Sequence, residues 1–128
     1  MNATMQSDSS SNQEWQWPDS LDALIAAPDH HELLFENDRV RVLNASIPAG
    51  GRVPVHTHRW PSVLYILSWS DFLRYNDNDE VVLDSRTVDA LKNPPAVVWS
   101  SPLPPHSLQN IGEMDLNIIA VELKDNTA

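Results

Sequence analysis

The chain contains no cysteine. That removes disulfide scaffolds, thiolate metal sites and cysteine nucleophiles together, and leaves any metal ion to nitrogen or oxygen donors. Positive charge is also scarce. Eight Lys and Arg stand against 18 Asp and Glu, a formal charge of −10, which repels phosphate backbones and anionic membrane surfaces. No nucleic-acid partner is expected. No apolar run approaches the roughly 18 residues needed to cross a bilayer, the longest being broken by proline or charge, so no membrane span is expected either. Met1–Gln13 offers neither a basic start nor an apolar stretch that would act as a secretion signal, which predicts a cytoplasmic protein. At 128 residues there is material for one core and not for two.

What is present divides unevenly along the chain. Residues 1–18 are polar, rich in Ser, Asn and Gln, and cannot bury enough surface to offset lost chain entropy, so a disordered segment is expected there. Residues 19–128 form the expected folded domain. Its start, Asp19–Ala27, offers Asp19 or Ser20 as an N-cap, Leu21, Leu24 and Ile25 on one face, and Pro28 as a stop, which predicts one short amphipathic helix. Short runs rich in Val, Ile, Leu and aromatics follow, separated by Pro, Gly, Asn and Asp, the texture of an all-β sandwich or barrel. The expected strands are 32–36, 39–47, 53–58, 63–68, 72–75, 81–84, 96–99 and 116–124, with 106–110 a shorter ninth. No second helix competes with them. Turns fit at 36–38, 48–51 and 76–79, where Gly, Asn and Asp tolerate a left-handed backbone.

With thiolates absent, the five histidines carry the chemistry. His56 and His58 stand two apart in a strand-like segment, so their imidazoles share a face, roughly 6.6 Å apart along the chain, and can lean onto one ion. His106, in Pro104-Pro105-His106-Ser107-Leu108-Gln109-Asn110, leads a short strand that a barrel can lay beside the pair. His30 and His31 follow a helix stop and read as surface or packing residues, outside the site.

The segment Gly50-Gly51-Arg52-Val53-Pro54-Val55-His56-Thr57-His58, taken with His106 and Asn110, resembles the two motifs of the cupin superfamily: Gly, five residues, His-x-His, and later His, three residues, Asn. The resemblance runs from about His31 to Lys124 and includes the strand 62–67. It implies a single cupin-type antiparallel β-barrel, or jelly roll, with the short helix at its start. It also implies one divalent metal on His56, His58 and His106. Two departures stand out. Ser62 and Val63 occupy the positions where the first motif places a glutamate, and Leu103 replaces a glycine of the second. The site is then similar to those three-histidine cupins, such as the diketone-cleaving dioxygenases, that bind iron without the glutamate.

Neutral imidazoles leave an ion its full dipositive charge, with room for a chelating ligand. Fe(II) is favoured by the resemblance, while Zn(II), Ni(II), Cu(II) and Mn(II) suit the same donors. The expected function is a dioxygenase-like enzyme for a small anionic or diketone-like substrate. The alternative is a metal-dependent binding or sensing protein without turnover, since no acid–base pair is visible. A metal-water hydrolase is disfavoured for want of a general base, and Ser62 has no nucleophile-elbow context. Strand parity turns Ser62, Leu64 and Ile66 inward with the histidines. Trp60, Tyr65, Trp69, Phe72 and Trp99 read as core, Arg41 and Arg59 as solvated charges, and Asp71, Asp77, Asp79 and Glu80 as a polar hairpin. A homodimer through a sheet face or edge is expected.

Overall fold

The computed structural model describes residues 15–124; the expected disorder of residues 1–14 falls outside them. Among the described residues nine strands are present: β1 (His31–Glu36), β2 (Val40–Ile47), β3 (Arg52–His58), β4 (Ser62–Ser68), β5 (Phe72–Asn76), β6 (Val81–Asp84), β7 (Val97–Ser100), β8 (Leu103–Asn110) and β9 (Leu116–Leu123). They form two antiparallel sheets, one ordered β1-β2-β9-β4-β7 and the other β3-β8-β5-β6. Both lie within a jelly roll whose sheets face each other without closing into one hydrogen-bonded barrel.

The expected helix is shorter than its sequence pattern. A 3₁₀ turn covers Asp19–Leu21 and the α-helix α1 only Ala23–Ala26. The cap is Asp22, whose carboxylate accepts from the Leu24 amide, because the backbone of Asp22 is extended and bridges to Thr57 of β3. A second helix that the sequence does not announce, α2 (Asp89–Lys92), follows a 3₁₀ turn at Ser85–Thr87.

Proline shapes the second sheet. Pro54 interrupts the pairing of β3 with β8, whose register shifts between Val53 and His56 and again between His56 and His58, since proline cannot donate to the ladder. β8 in turn runs through Pro104 and Pro105 and is longer than expected. The turn Pro48–Gly51 forms as expected, with Gly50 at φ 81°, a conformation that costs glycine little.

Asn110, at the close of the second motif, is fully buried and uses its whole amide. Its Nδ2 donates to the carbonyls of Ile47 and Met114, and its Oδ1 accepts from Ser70 Oγ and the Gly112 amide. It is a loop clasp and not a site residue. The core between the sheets contains Ala27, Ile47, Val53, Phe72 and Leu116, with Trp69, Leu83, Leu91 and Leu108 packed against it. Trp69 and Phe72 meet edge to face at 5.6 Å. Tyr65 and Trp99, expected in the core, are instead exposed on the large sheet, Trp99 by 60 %.

Candidate metal centre

Four histidines converge between the sheets. His56 and His58 come from one face of β3, as their spacing predicts. Thr57 between them is buried on the opposite side, toward Asp22. His106 on β8 is the direct cross-strand partner of His56. Ring centroids are 4.9 Å apart for His56 and His58, 4.4 Å for His56 and His106, and 5.6 Å for His58 and His106.

The fourth is His31, which the sequence points away from. It opens β1 on the other sheet, is buried, and stands 4.8 Å from the His56 ring and 5.3 Å from that of His58. One ring nitrogen each of His31, His56 and His58 lies within 4.8 Å of the others, a group able to hold a metal ion. The nearness arises because the chain folds straight from α1 into β1: Ala27, the C-cap of α1, accepts from His31 Nδ1 at 3.0 Å. His30 points elsewhere, its Nδ1 donating to the Ser46 carbonyl.

The same hydrogen-bond logic orients every ring of the cluster. His56 Nδ1 donates to Pro54 O at 2.8 Å and His106 Nδ1 to Pro104 O at 2.7 Å. His58 Nδ1 faces Glu122 Oε2 at 3.1 Å. A carbonyl or carboxylate oxygen only accepts, so each neutral ring carries its proton on Nδ1 and presents an unprotonated Nε2. Burial is the main cause that keeps the His31, His56 and His106 rings neutral, followed by repulsion from His58 for His31 and His106 and from His106 for His56. The His31 pKa falls to about 4 and that of His106 to about 3; for His56, burial and the His106 and His58 charges bring it to about 2. Neutral, Nε2-presenting imidazoles with an oxygen acceptor behind them are the donor set a divalent transition ion requires.

Glu122 is a carboxylate that stands behind the cluster, on another strand. It is fully buried on β9 and pairs across the sheet with both Arg41 and Ser62. The carboxylate therefore sits one strand over from where the motif would place it, and it meets Nδ1 of His58 instead of the cavity. Arg41 Nε donates to Glu122 Oε1 at 2.6 Å, and its two terminal nitrogens grip Asp22 at 2.9 and 3.0 Å. Burial alone would lower the Arg41 pKa, but the bonds to Asp22 and Glu122 raise it well above its ordinary value. Arg41 is thus buried and engaged, not solvated. Arg59 is exposed and lies over Trp60, 5.4 Å from the ring.

The cluster opens into a cavity of about 290 Å³. Ser62, Leu64 and Ile66 line it, as strand parity predicts, together with Trp69 and Phe72. Among the described residues, no Asp or Glu lines it.

No family model matches the chain, and no curated protein matches it. Solved structures do. A cupin domain from Bordetella pertussis Tohama I is 17% identical, covering 73% of this chain and 91% of that one, with a TM-score of 0.57. An RmlC-like cupin with a double-stranded β-helix fold from Methanocaldococcus jannaschii is 17% identical over 73% of this chain and 77% of its own, TM-score 0.51. The chain has the cupin fold. A double-stranded β-helix protein from Klebsiella pneumoniae agrees, at 14% identity, 77% and 78% coverage and a TM-score of 0.51. No helix among the described residues is long and apolar enough to cross a membrane.

Proposed function

We propose that this cupin binds one divalent metal ion on His56, His58 and His106, with His31 completing the donor set, and acts on a small organic molecule held in the adjoining cavity. The observation that supports the reading is the common orientation of the four rings, each tied at Nδ1 and free at Nε2. Fe(II) is the favoured ion, and Zn(II), Ni(II), Cu(II) and Mn(II) suit the same nitrogens. Iron held by imidazoles alone would supply oxygen-dependent redox chemistry, hence a dioxygenase-like enzyme. The chain's own part is to hold the rings neutral, to fix their tautomer, and to seat the substrate against apolar walls that exclude water.

Elemental analysis of tag-free protein tests this. About one transition metal per chain is expected for the wild type, with affinity lowered by at least tenfold in His58→Ala. Protein that takes up none of the five ions would sink the reading. A binding or sensing role without turnover is the second reading, favoured by the lack of any carboxylate lining the cavity. Oxygen uptake in the iron-loaded protein with small acids or diketones separates the two.

Pairing of two copies belongs to the same reading. Val97 and Trp99 on the edge strand β7 and Tyr65 on β4, which pairs with Val97, are all exposed, an apolar surface suited to a second copy. Sedimentation is expected to give twice the 14.4 kDa chain mass, returning toward one chain mass in Trp99→Glu. A wild-type monomer at micromolar concentration would refute it.

A further inference from the structure

Arg74 lies on β5 two residues beyond Phe72, so the period of the strand turns both to the same side, and both line the cavity. Its cross-strand partner on β8 is Leu108, two residues from His106. A cation removed from water ordinarily has a carboxylate beside it, because an unpaired charge there is costly. Arg41, Arg52 and Arg86 each have such a partner, in Asp22 and Glu122, in Asp79 and in Asp84. Arg74 has none among the described residues. Its Nε is buried without a hydrogen-bond partner, burial pushes its pKa down with nothing opposing, and no Asp or Glu lines the cavity into which it faces. A chain carrying ten excess negative charges has left one arginine unmatched beside its histidine cluster.

We propose that Arg74 anchors the carboxylate of an apolar organic acid, with the body of the acid lying against Trp69, Phe72 and Leu91 and its remaining functional group beside the histidines. A guanidinium fork matches a carboxylate in shape and charge. A phosphate would need donors for three oxygens, and the other walls here are mostly apolar. The volume sits at the small end of the range for ligand pockets, roughly 300–1,000 Å³, which fits a compact acid with one ring or a short chain. The assignment gives the substrate class of the proposed metal site, and rests on that reading only for what is done to the bound acid.

The test is calorimetric titration and thermal melting of the full chain, once metal-free and once loaded with Zn(II), against phenylacetate and hexanoate and against their neutral amides. At least one acid is expected to bind about 10–100-fold more tightly than its amide and to raise the melting temperature. Arg74→Gln and Arg74→Met are each expected to abolish that preference while metal uptake stays at the wild-type level. Arg74→Met also keeps the apolar stem, so a fold that fails with glutamine is still tested with methionine. Wild-type protein that binds neither acid better than its amide overturns the proposal. So does a preference that survives in the variants, which would put the carboxylate on the metal. An acid preference in protein that takes up no metal supports the role of Arg74 and sinks the metal reading alone.

Discussion

Replacing Glu122 by alanine is expected to lower folding stability by about 3–5 kcal/mol. The carboxylate is fully buried and bonded on both oxygens, to Arg41 Nε and to His58 Nδ1. Its loss leaves the Arg41 guanidinium, 6 % exposed, with only the Asp22 half of its partners, and a buried charge that loses a counter-ion cannot recover the hydration it gave up on folding. Glu122→Gln keeps the volume and one acceptor, so its stability loss should be smaller, about 1–2 kcal/mol. Its metal affinity should still fall about 10–100-fold, because His58 would lose the charged acceptor that orients it and strengthens its donation. Urea unfolding at constant slope measures the first effect, and competition with a metal indicator the second. An alanine variant within 1 kcal/mol of wild type, a margin of about one ordinary hydrogen bond, would show that the Asp22–Arg41–Glu122–His58 chain is not a structural unit.

How much of this site the sequence reveals depends on the sequence distance between partners. His56 and His58 are legible because the strand period puts i and i+2 on one face, and His106 because prolines and Asn110 mark its strand. His31 is not, since the residues around it show only a helix stop, and its place is set by the turn out of α1, which packs on β3 and brings the first residue of β1 beside the histidine pair. Glu122 and Arg74 were open to the argument that placed Ser62, Leu64 and Ile66. Glu122 shares strand parity with Leu116, Ile118 and Ala120, and Arg74 with Phe72, all inward. Charge suggests solvent, parity suggests burial, and here parity is the better guide, because a charge on the inward register of a strand is kept there by a partner or a ligand. Arg41 follows the same rule beside Leu43, Ala45 and Ile47. The strands themselves were legible to within a residue or two. The exceptions are β8, where proline conceals the continuation, and the helix, where Asp22 restarts the chain after a 3₁₀ turn.

Without metal, the protein is expected to lose stability steeply as the pH falls from about 6.5 to about 4. His31, His56 and His106 have folded-state pKa values of about 4, 2 and 3, all below the unfolded value near 6.5. Above that value neither state binds a proton at these rings and stability is at its plateau. Below it the unfolded chain takes up protons that the folded chain refuses, so unfolding becomes easier until the pH reaches the folded values. Each ring that stays neutral contributes about 1.4 kcal/mol per pH unit, and the three together about 4 kcal/mol per unit. That slope is comparable, within one or two units, to the whole stability of a small domain, about 5–15 kcal/mol. Burial works against the ionised form of Asp22, but the Arg41 hydrogen bond and charge together outweigh it and lower its pKa, so the loss it adds comes mainly at and below its ordinary value of 3.8. Most of the interval from 6.5 to 4 therefore lies above the ordinary carboxylate range and reports chiefly on the imidazoles. Bound metal should shift the loss to lower pH, because it occupies the Nε2 lone pairs that protons would otherwise take. Urea titrations at pH 5, 6, 7 and 8, with and without chelator, measure both curves. His56→Asn should flatten the metal-free slope by about a third, the share of one ring in three. Equal metal-free stability at pH 5 and pH 8 would mean that the rings are not held neutral in the folded state, and the donor set would lose its physical basis.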